Sequence, residues 1–428
     1  MRTSILPAIA AAAAAALLLS GCAAGTSESS GKTTTLTIES WRTEDVALWK
    51  SKIIPAFEKE HPDIKLVFSP TQSENYDSTL TSKLEGGTAG DIVSCRAYDD
   101  LRRNAAKGYF SKIDGLAGLD NFSKLALSAW QDDKGTQYCV PVASVTAGVF
   151  YNADILKKLD LTVPTTTAQL MTDLKAIKSD GEYSGVAQGT SVAWDLSYLL
   201  LSNIGQNYYK GETGRQGLID GTKKVTDPGF VNALTMIDRL QPYFPANYSS
   251  MTIDDARAQF AAGKAAFYIS GSYEISSLTD LPFTLGVTAP PLPKAGDQLY
   301  VQDHPDMAYG INAKSKNKAA AKTFLSWTAT PAFAKLYVNA LPGFLSMQKS
   351  TIPMTNSLAK KFASIRASAK TSPRLGLDRL SAGSPTFELE IMRLMQKMLN
   401  DPSSESPAQV ATELQSGLAQ WYGPQKAK

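Results

Sequence analysis

Side chains that commonly carry out catalysis are scarce in this sequence. Its 428 residues include only two histidines, His61 and His304, and no Gly-x-Ser-x-Gly or His-Glu-x-x-His motif is present. A glycosidase needs two carboxylates that flank a bond, but 40 acidic residues make such candidates uninformative. The pattern therefore gives little support to an enzyme. The lack of a close Cys/His cluster also argues against a zinc or iron site.

Aromatic and charged residues instead follow the strands of a predicted α/β domain. Residues 36 to 94 predict strand, helix, strand, helix and strand in turn, which indicates parallel pairing. In open parallel sheets, ligands bind beyond the carboxyl ends of the strands. Four residues stand at those ends: Trp41, Arg96, Tyr98 and Asp99. Core packing of Trp41 and a solvated loop at 96–99 remain alternatives.

A second candidate is the stretch "FAAGKAAFYISGSY", from Phe260 to Tyr273, in which no acid, base or nucleophile stands out. An amphipathic run stops at Gly263, and a short apolar strand follows it. Gly271 then allows a close backbone approach, and Tyr273 offers a flat ring with a polar tip. A core tyrosine after a turn is the alternative.

The N-terminus has the composition of a targeting signal. Arg2 precedes an apolar, alanine-rich run from Ile5 to Leu19, which is too short for a permanent membrane span. We therefore predict a signal peptide over residues 1–21. The following Cys22 completes Leu-Ser-Gly-Cys, which resembles the lipobox of bacterial lipoproteins; an ordinary secretory cleavage site is the alternative. The resemblance implies a lipidated Cys22 followed by a flexible tether to residue 35.

Composition limits the remaining possibilities. A chain of 428 residues exceeds what one core usually holds, so we expect two domains. Lys plus Arg (43) nearly balances Asp plus Glu (40), without the basic footprint of a nucleic-acid binder. Cys95 and Cys139 are compatible with a disulfide outside the cytoplasm. Because both stand in predicted strands, two buried thiols are slightly favoured.

Several motifs, taken in order, resemble the family 1 extracellular solute-binding proteins of ABC importers, which include maltose-binding protein. The resemblance runs from residue 36 to near the C-terminus. It rests on "FEKEHPDIKLVF", "GDIVS", "KGTQYCVPVASVTAGVFYNADILKKL", "FAAGKAAFYISGSY" and "YGINAKSKNKAAAKTFLSW". No single motif is specific, but their order and spacing are. Gly90, Cys139 and Tyr273 depart from the family pattern.

The resemblance implies an α/β fold with two lobes of the class II periplasmic-binding-protein type, joined by two or three crossovers around a ligand cleft. Its first lobe would hold residues 36–143 and 301–327. Its second lobe would hold residues 144–300 and 328–428. Closure of the cleft on the ligand would be a hinge motion.

The ligand that the resemblance implies is a carbohydrate. Aromatic rings would stack on its C–H faces, and planar polar side chains would form hydrogen bonds with its hydroxyls. The implied contacts are Trp41, Glu44, Tyr76, Arg96, Tyr98, Asp99, Trp194, Asp195, Gly271, Tyr273, Asp303 and Phe344. Some have plainer explanations: Glu44 and Asp195 at helix starts, and Asp303 in a surface loop.

The sequence thus predicts a monomeric, lipid-anchored receptor at the outer face of the cytoplasmic membrane. It would deliver a carbohydrate to the membrane subunits of an ABC permease, and an oligosaccharide is the form that we expect. No P-loop is present, so ATP hydrolysis would belong to another subunit, and no cofactor or metal is expected. A peptide or polyamine ligand is the main alternative, and a surface adhesin or scaffold is a weaker one.

Overall fold

The computed structural model describes residues 33–193 and 196–426. The predicted signal peptide, Cys22 and most of the tether lie outside these ranges, and so do Trp194 and Asp195. Within the ranges, no helix combines the length and the apolar character needed to cross a membrane.

The described residues contain ten strands that form one sheet. They are β1 (Thr34–Ser40), β2 (Ile64–Pro70), β3 (Ile92–Ser94), β4 (Cys139–Asn152), β5 (Ser184–Val186), β6 (Ala265–Gly271), β7 (Leu285–Thr288), β8 (Tyr300–Ile311), β9 (Leu345–Ser346) and β10 (Lys370–Ser372). The order across the sheet is β2-β1-β3-β8-β4-β6-β5, with β10 beside β8 and with β7 and β9 beside β4. The parallel pairing of β1 with β2 and β3 confirms the prediction from the alternating strands and helices.

The α-helices of the described residues are α1 (Val46–Leu48), α2 (Ile54–Glu60), α3 (Ser73–Gly86), α4 (Asp99–Ala106), α5 (Lys124–Ser128), α6 (Ala153–Lys158), α7 (Thr167–Asp180), α8 (Gln206–Tyr209), α9 (Gly211–Asp220), α10 (Pro228–Asp238), α11 (Ile253–Ala261), α12 (Lys318–Thr328), α13 (Pro331–Ala340), α14 (Ser357–Ser368), α15 (Phe387–Asn400) and α16 (Pro407–Trp421). Trp49–Ile53 and Leu196–Gly205 are π-helical. The mostly apolar sequence of 194–204 predicts a helix, and the described part of that helix is wider than an α-helix.

Two large hydrophobic cores lie along the sheet. The first gathers around β1, β2, β3 and the C-terminal half of β8. The second gathers around β5 and β6 and includes residues of α7, α10, α15 and α16. These cores correspond to the two expected lobes.

The helix α13 belongs with the first core, although the sequence placed everything after residue 327 in the second lobe. Phe333 and Tyr337 of this helix are both buried in the first core. The rings of Trp327 and Phe333 have centroids 4.8 Å apart, which ties α13 back onto α12. We therefore propose that the first lobe continues through Phe344.

β4 and β8 each run from one lobe into the other. The sequence predicted two extended runs, at 138–142 and 149–152, and the structure joins them in the single strand β4. Its first half pairs antiparallel with β8 and its second half with β6 and β7. Residues 144–146, between these two halves of β4, are buried and pair with 303–305 of β8. The two strands therefore form the connection between the lobes.

A disulfide joins Cys95 and Cys139, so the slight preference for free thiols was wrong. Cys95 follows β3 and Cys139 begins β4, and β8 lies between these two strands. The bridge passes over Gly310 of β8, where a Cβ would lie 2.7 Å from each sulfur atom. Strand predictions do not say which strands become near neighbours, and the bridge depends on that arrangement.

Candidate functional site

The carboxyl ends of β1 and β3 bring Trp41 and Arg96 together. The guanidinium carbon of Arg96 lies 4.1 Å from the ring centroid of Trp41. Tyr76 meets Trp41 edge-on, with centroids 5.4 Å apart, and its hydroxyl donates to the Ser94 carbonyl at 2.7 Å. Trp41 and Tyr76 are almost fully buried. These two rings therefore hold the Arg96 guanidinium in place at the carboxyl ends of the strands.

Arg42, the next residue after Trp41, supplies a second guanidinium, which is buried. It donates two hydrogen bonds to Asp45, at 2.8 and 3.0 Å, and lies 4.7 Å from the ring centroid of Phe344. Its Nη1 also pairs with the exposed Glu44 at 2.9 Å. A bidentate pair of this kind holds a guanidinium in one orientation.

Asp306 of β8 lies among the charges of three arginines. Ala143 of β4 pairs with Met307 and Ser144 pairs with Pro305, so Asp306 falls at a bulge in the register. Bulges redirect side chains and often occur beside functional sites. Burial raises the pKa of Asp306, although the positive charges of Arg96, Arg42 and Arg374 oppose the rise. Among the described residues, no hydrogen bond or ion pair engages its carboxylate.

Aromatic rings of the π-helix and of the β6 end form the opposite wall. The Tyr198 and Tyr273 rings have centroids 5.9 Å apart, and the Tyr273 hydroxyl lies 3.1 Å from the Ser270 hydroxyl. The guanidinium of Arg374 lies 5.2 Å from the Tyr198 ring centroid. Helix segments with π geometry frequently occur at functional sites. The wall thus offers two rings and a cation, and the charge of Asp306 acts on the Tyr198 phenol.

Tyr98 has a backbone conformation that is unusual for a residue with a side chain. Its φ is 60°, and its N–H donates to the Ala129 carbonyl at 2.8 Å. Such strain persists where the surroundings impose it and is concentrated at functional sites. Burial raises the pKa of the Tyr98 phenol, and the second-lobe charges of Arg215, Asp378 and Glu212 also act on it. Tyr98 therefore lies where the two lobes approach each other.

Arg102 connects the lobes directly. From α4 it contacts Asp378 of the C-terminal segment at 2.5 Å and Asp99 of its own helix at 3.0 Å. Asp99, which the sequence predicted as a ligand contact, is thus engaged in an ion pair in this structure. The charges stabilise the arrangement in which the lobes are close.

Arg102→Gln is expected to weaken ligand binding by about fivefold, because a partly exposed ion pair contributes about 1 kcal/mol. The loss should appear as a faster dissociation rate in stopped-flow or surface-plasmon measurements. Arg393→Gln is the matched control, since Arg393 pairs with Glu390 inside one helix. Equal effects of the two substitutions would contradict a role for Arg102 in closure.

His304 of β8 is buried where the strands cross between lobes, and its Nδ1 has no hydrogen-bond partner among the described residues. Burial lowers its pKa well below the usual value, and Arg374 and Arg96 lower it further. The unfolded chain therefore takes up a proton near pH 6.5 that the folded chain resists. Folded stability falls as the pH drops below about 6.5.

His304→Gln should remove this part of the pH dependence. Between pH 7 and 5.5 the native chain should lose about 1 kcal/mol of unfolding free energy that the variant keeps. Urea unfolding at both pH values measures the difference. His61→Gln, in the first lobe, is the control. If the unfolding free energy of His304→Gln changes with pH as much as that of the native chain, His304 is not the source of the pH dependence.

Other predicted contacts have different surroundings from those expected. Phe344 is fully buried beneath Arg42, where it supports the guanidinium. Gly271 makes room for its neighbour, since a Cβ there would lie 2.7 Å from the Tyr273 ring. Asp303 accepts from Thr146 at 2.9 Å and pairs with Arg366 at 3.0 Å, so it braces the connection between lobes. Trp194 and Asp195 lie outside the described residues.

Four residues of the site were missed from the sequence: Arg42, Tyr198, Arg374 and Asp306. Asp306 lies in "VQDHPDMAYG", where attention fell on Asp303. Two acids three residues apart look equivalent until the bulge fixes their directions. Arg374 lies far along the chain in a segment without a recognisable pattern. Arg42 had a signal, because it adjoins Trp41, and Tyr198 follows Asp195 by three positions in the same apolar run.

Metal chemistry finds no support in the described part of the chain. It contains no group of three or more His, Cys, Asp or Glu side chains arranged to hold an ion. What the arrangement offers is a set of rings, fixed guanidiniums and one carboxylate with open acceptor positions. Such groups can bind a solute that has both apolar faces and polar edges.

Solved structures with a similar fold are two-lobed receptors. A chitin oligosaccharide binding protein superposes with a TM-score of 0.77 at 19% identity, covering 91% of this chain and 99% of that one. The GacH receptor of Streptomyces glaucescens GLA.O gives 0.73 at 20% identity, covering 89% and 96%. At these identities the likeness concerns the fold alone, and it confirms the two-lobed α/β architecture.

Sequence comparison defines the family. Residues 40–335 match the model for the bacterial extracellular solute-binding protein, and the chain belongs to that family. A multiple sugar-binding protein of Streptococcus mutans is 25% identical over 65% of this chain and 67% of its own length. A mannitol-binding protein of Pseudomonas aeruginosa is 25% identical over 71% and 70%. The resemblance inferred from the motifs is thereby confirmed.

Proposed function

We propose that this protein captures a carbohydrate between its two lobes, and that this carbohydrate is an oligosaccharide. The observation that carries the proposal is Asp306, a partly buried carboxylate at the bulge of β8 that has open acceptor positions and on which the charges of Arg96, Arg42 and Arg374 act. Adjacent sugar hydroxyls can donate to such a carboxylate and accept from arginine. The Tyr198 and Tyr273 rings supply faces for the C–H surface of a sugar ring. Relatives named for sugar and for mannitol support the same ligand class.

The charge balance favours a neutral ligand. Each arginine around Asp306 has a carboxylate partner of its own: Asp45 for Arg42, Asp77 for Arg96 and Glu388 for Arg374. A strongly charged ligand would need an unbalanced cluster of the opposite sign. A neutral polyhydroxyl ligand needs only donors and acceptors in fixed places. Peptides and polyamines are therefore less well matched.

The transport role follows from the family and from the N-terminal sequence. The lipidated Cys22 would hold the protein, acting as a monomer, at the outer face of the cytoplasmic membrane. The closed form would dock on the membrane subunits of an ABC permease and release the sugar there. Binding and closure are the chemistry that this role needs, so we propose that the protein is not an enzyme.

A thermal-shift screen tests the proposed function. The purified protein is heated with mono-, di- and oligosaccharides and, separately, with amino acids, peptides and polyamines. A ligand at 100 times its dissociation constant adds about 2.7 kcal/mol to stability, which gives a clear rise in melting temperature. A shift with one class of sugar supports the proposal. A shift with a peptide or polyamine and with no sugar would contradict it.

A further inference from the structure

A groove on the first lobe lies between α3 and α4 and begins at Tyr76 and Arg96 of the candidate site. It has a volume of about 460 Å³, which falls within the range of small-molecule sites. Tyr76, Asp77 and Thr81 line it from α3, and Asp100, Arg103 and Asn104 line it from α4. Its inner end is formed by residues of β3 and the segment after it. Among its lining residues, the sequence predicted Tyr76 and Arg96 as ligand contacts and gave no role to the others.

The groove shares Tyr76 and Arg96 with the candidate site. The Arg96 guanidinium lies over Trp41, which ends β1 beside the cleft. Its Nε pairs with Asp77, which lines the groove, at 3.2 Å. The charge of Arg96 also acts on Asp306 in the cleft. Arg96 therefore borders both the candidate site and the groove.

The groove contains polar atoms that await partners. Ser94 is fully buried and lines the groove, yet its hydroxyl has no hydrogen-bond partner among the described residues. An unpaired buried hydroxyl costs about 1–3 kcal/mol, so such groups normally meet water or a ligand. Asn104 adds an amide from α4, and Arg103 is paired with Asp100. Hydroxyl, amide and ion-paired groups match a neutral polyhydroxyl ligand better than an apolar one.

We propose that this groove is an outer subsite for the distal rings of an oligosaccharide whose inner rings occupy the cleft. The inference rests on the proposed function and makes it more specific, because it predicts that affinity increases with chain length. Arg96 is the residue at which the saccharide leaves the cleft. Tyr76 and Ser94 line the space for the first distal ring.

Calorimetric titration of the purified protein tests the inference, with malto-, cello- and xylo-oligosaccharides of one to six units as probes. Thr81→Trp places a large ring in the groove, whereas Ser82→Trp puts the same ring on an exposed position of α3 that does not line it. We expect the affinity of the native protein to rise at least tenfold from two units to four or more. Thr81→Trp should abolish that rise and leave binding of the shorter sugar unchanged, and Ser82→Trp should behave as the native protein does.

A second variant keeps the test independent of folding. Asn104→Ala removes one amide without adding bulk and should lower affinity for the longer saccharides severalfold and for the disaccharide not at all. If saccharides bind but the native protein and both groove variants show the same length dependence, the groove is not a subsite and the proposed function stands. If no saccharide binds the native protein, both proposals are overturned.

Discussion

Asp306→Asn is expected to lower carbohydrate affinity by about 100-fold, the largest effect on binding that the site predicts. Hydrogen bonds to a charged group contribute about 1.5–3 kcal/mol. The neighbouring arginines keep their own carboxylate partners, so the loss falls on the contacts between Asp306 and the sugar. The amide that replaces it keeps the size but turns one acceptor into a donor. Titration calorimetry with the best sugar from the thermal-shift screen measures the loss.

Asp303→Asn is the matched control, three residues away on the same strand. Asp303 is engaged by Thr146 and Arg366, so its loss should reduce stability more than affinity. Unfolding midpoints of both variants separate the two effects. A larger loss of affinity in Asp303→Asn than in Asp306→Asn would contradict the position assigned to the binding carboxylate and would favour the original prediction from the sequence.

Removal of the disulfide is expected to have the largest effect on stability. Cys95 and Cys139 are 44 residues apart in sequence, and the chain-entropy model gives about 4 kcal/mol for closing a loop of that length. The double substitution Cys95→Ser and Cys139→Ser should lower the unfolding free energy by about that amount, measured by urea denaturation. Cys95 also precedes Arg96 directly, so affinity should fall as well.

The matched control is the native protein treated with reductant under the same conditions. Reduction should reproduce the loss of the double variant and leave the variant itself unaffected. If the unfolding free energies of the native protein and the double variant differ by less than about 1 kcal/mol, packing alone holds β3 and β4 in place.

Local patterns in the sequence predicted the elements of the first lobe well. Alternation at Leu36 and Ile38 marked β1, and glycine at 86 and 87 marked the end of α3, where Gly87 has a φ of 71°. These features depend on residues close in sequence. The disulfide, the return of α13 to the first core and the bulge at Asp306 depend on which distant segments become neighbours, and no local pattern contains that information.

The candidate site was predicted in part for the same reason. Trp41, Arg96 and Tyr98 follow strands whose ends could be recognised, and the structure gathers them at one edge of the sheet. Phe344 also lies beside Arg42, but buried beneath it. Arg374 reaches Tyr198 from a segment 176 positions further along the chain, so only the folded arrangement reveals it. Whether each of these residues contacts the ligand remains a prediction.

The most direct test of the central claim is a crystal structure of the protein with the sugar that gives the largest thermal shift. We predict a sugar ring between the lobes, with hydroxyls within hydrogen-bond distance of Asp306 and Arg96 and with a ring face against Tyr198 or Tyr273. A sugar bound only outside the cleft, with Asp306 left without a ligand contact, would contradict it.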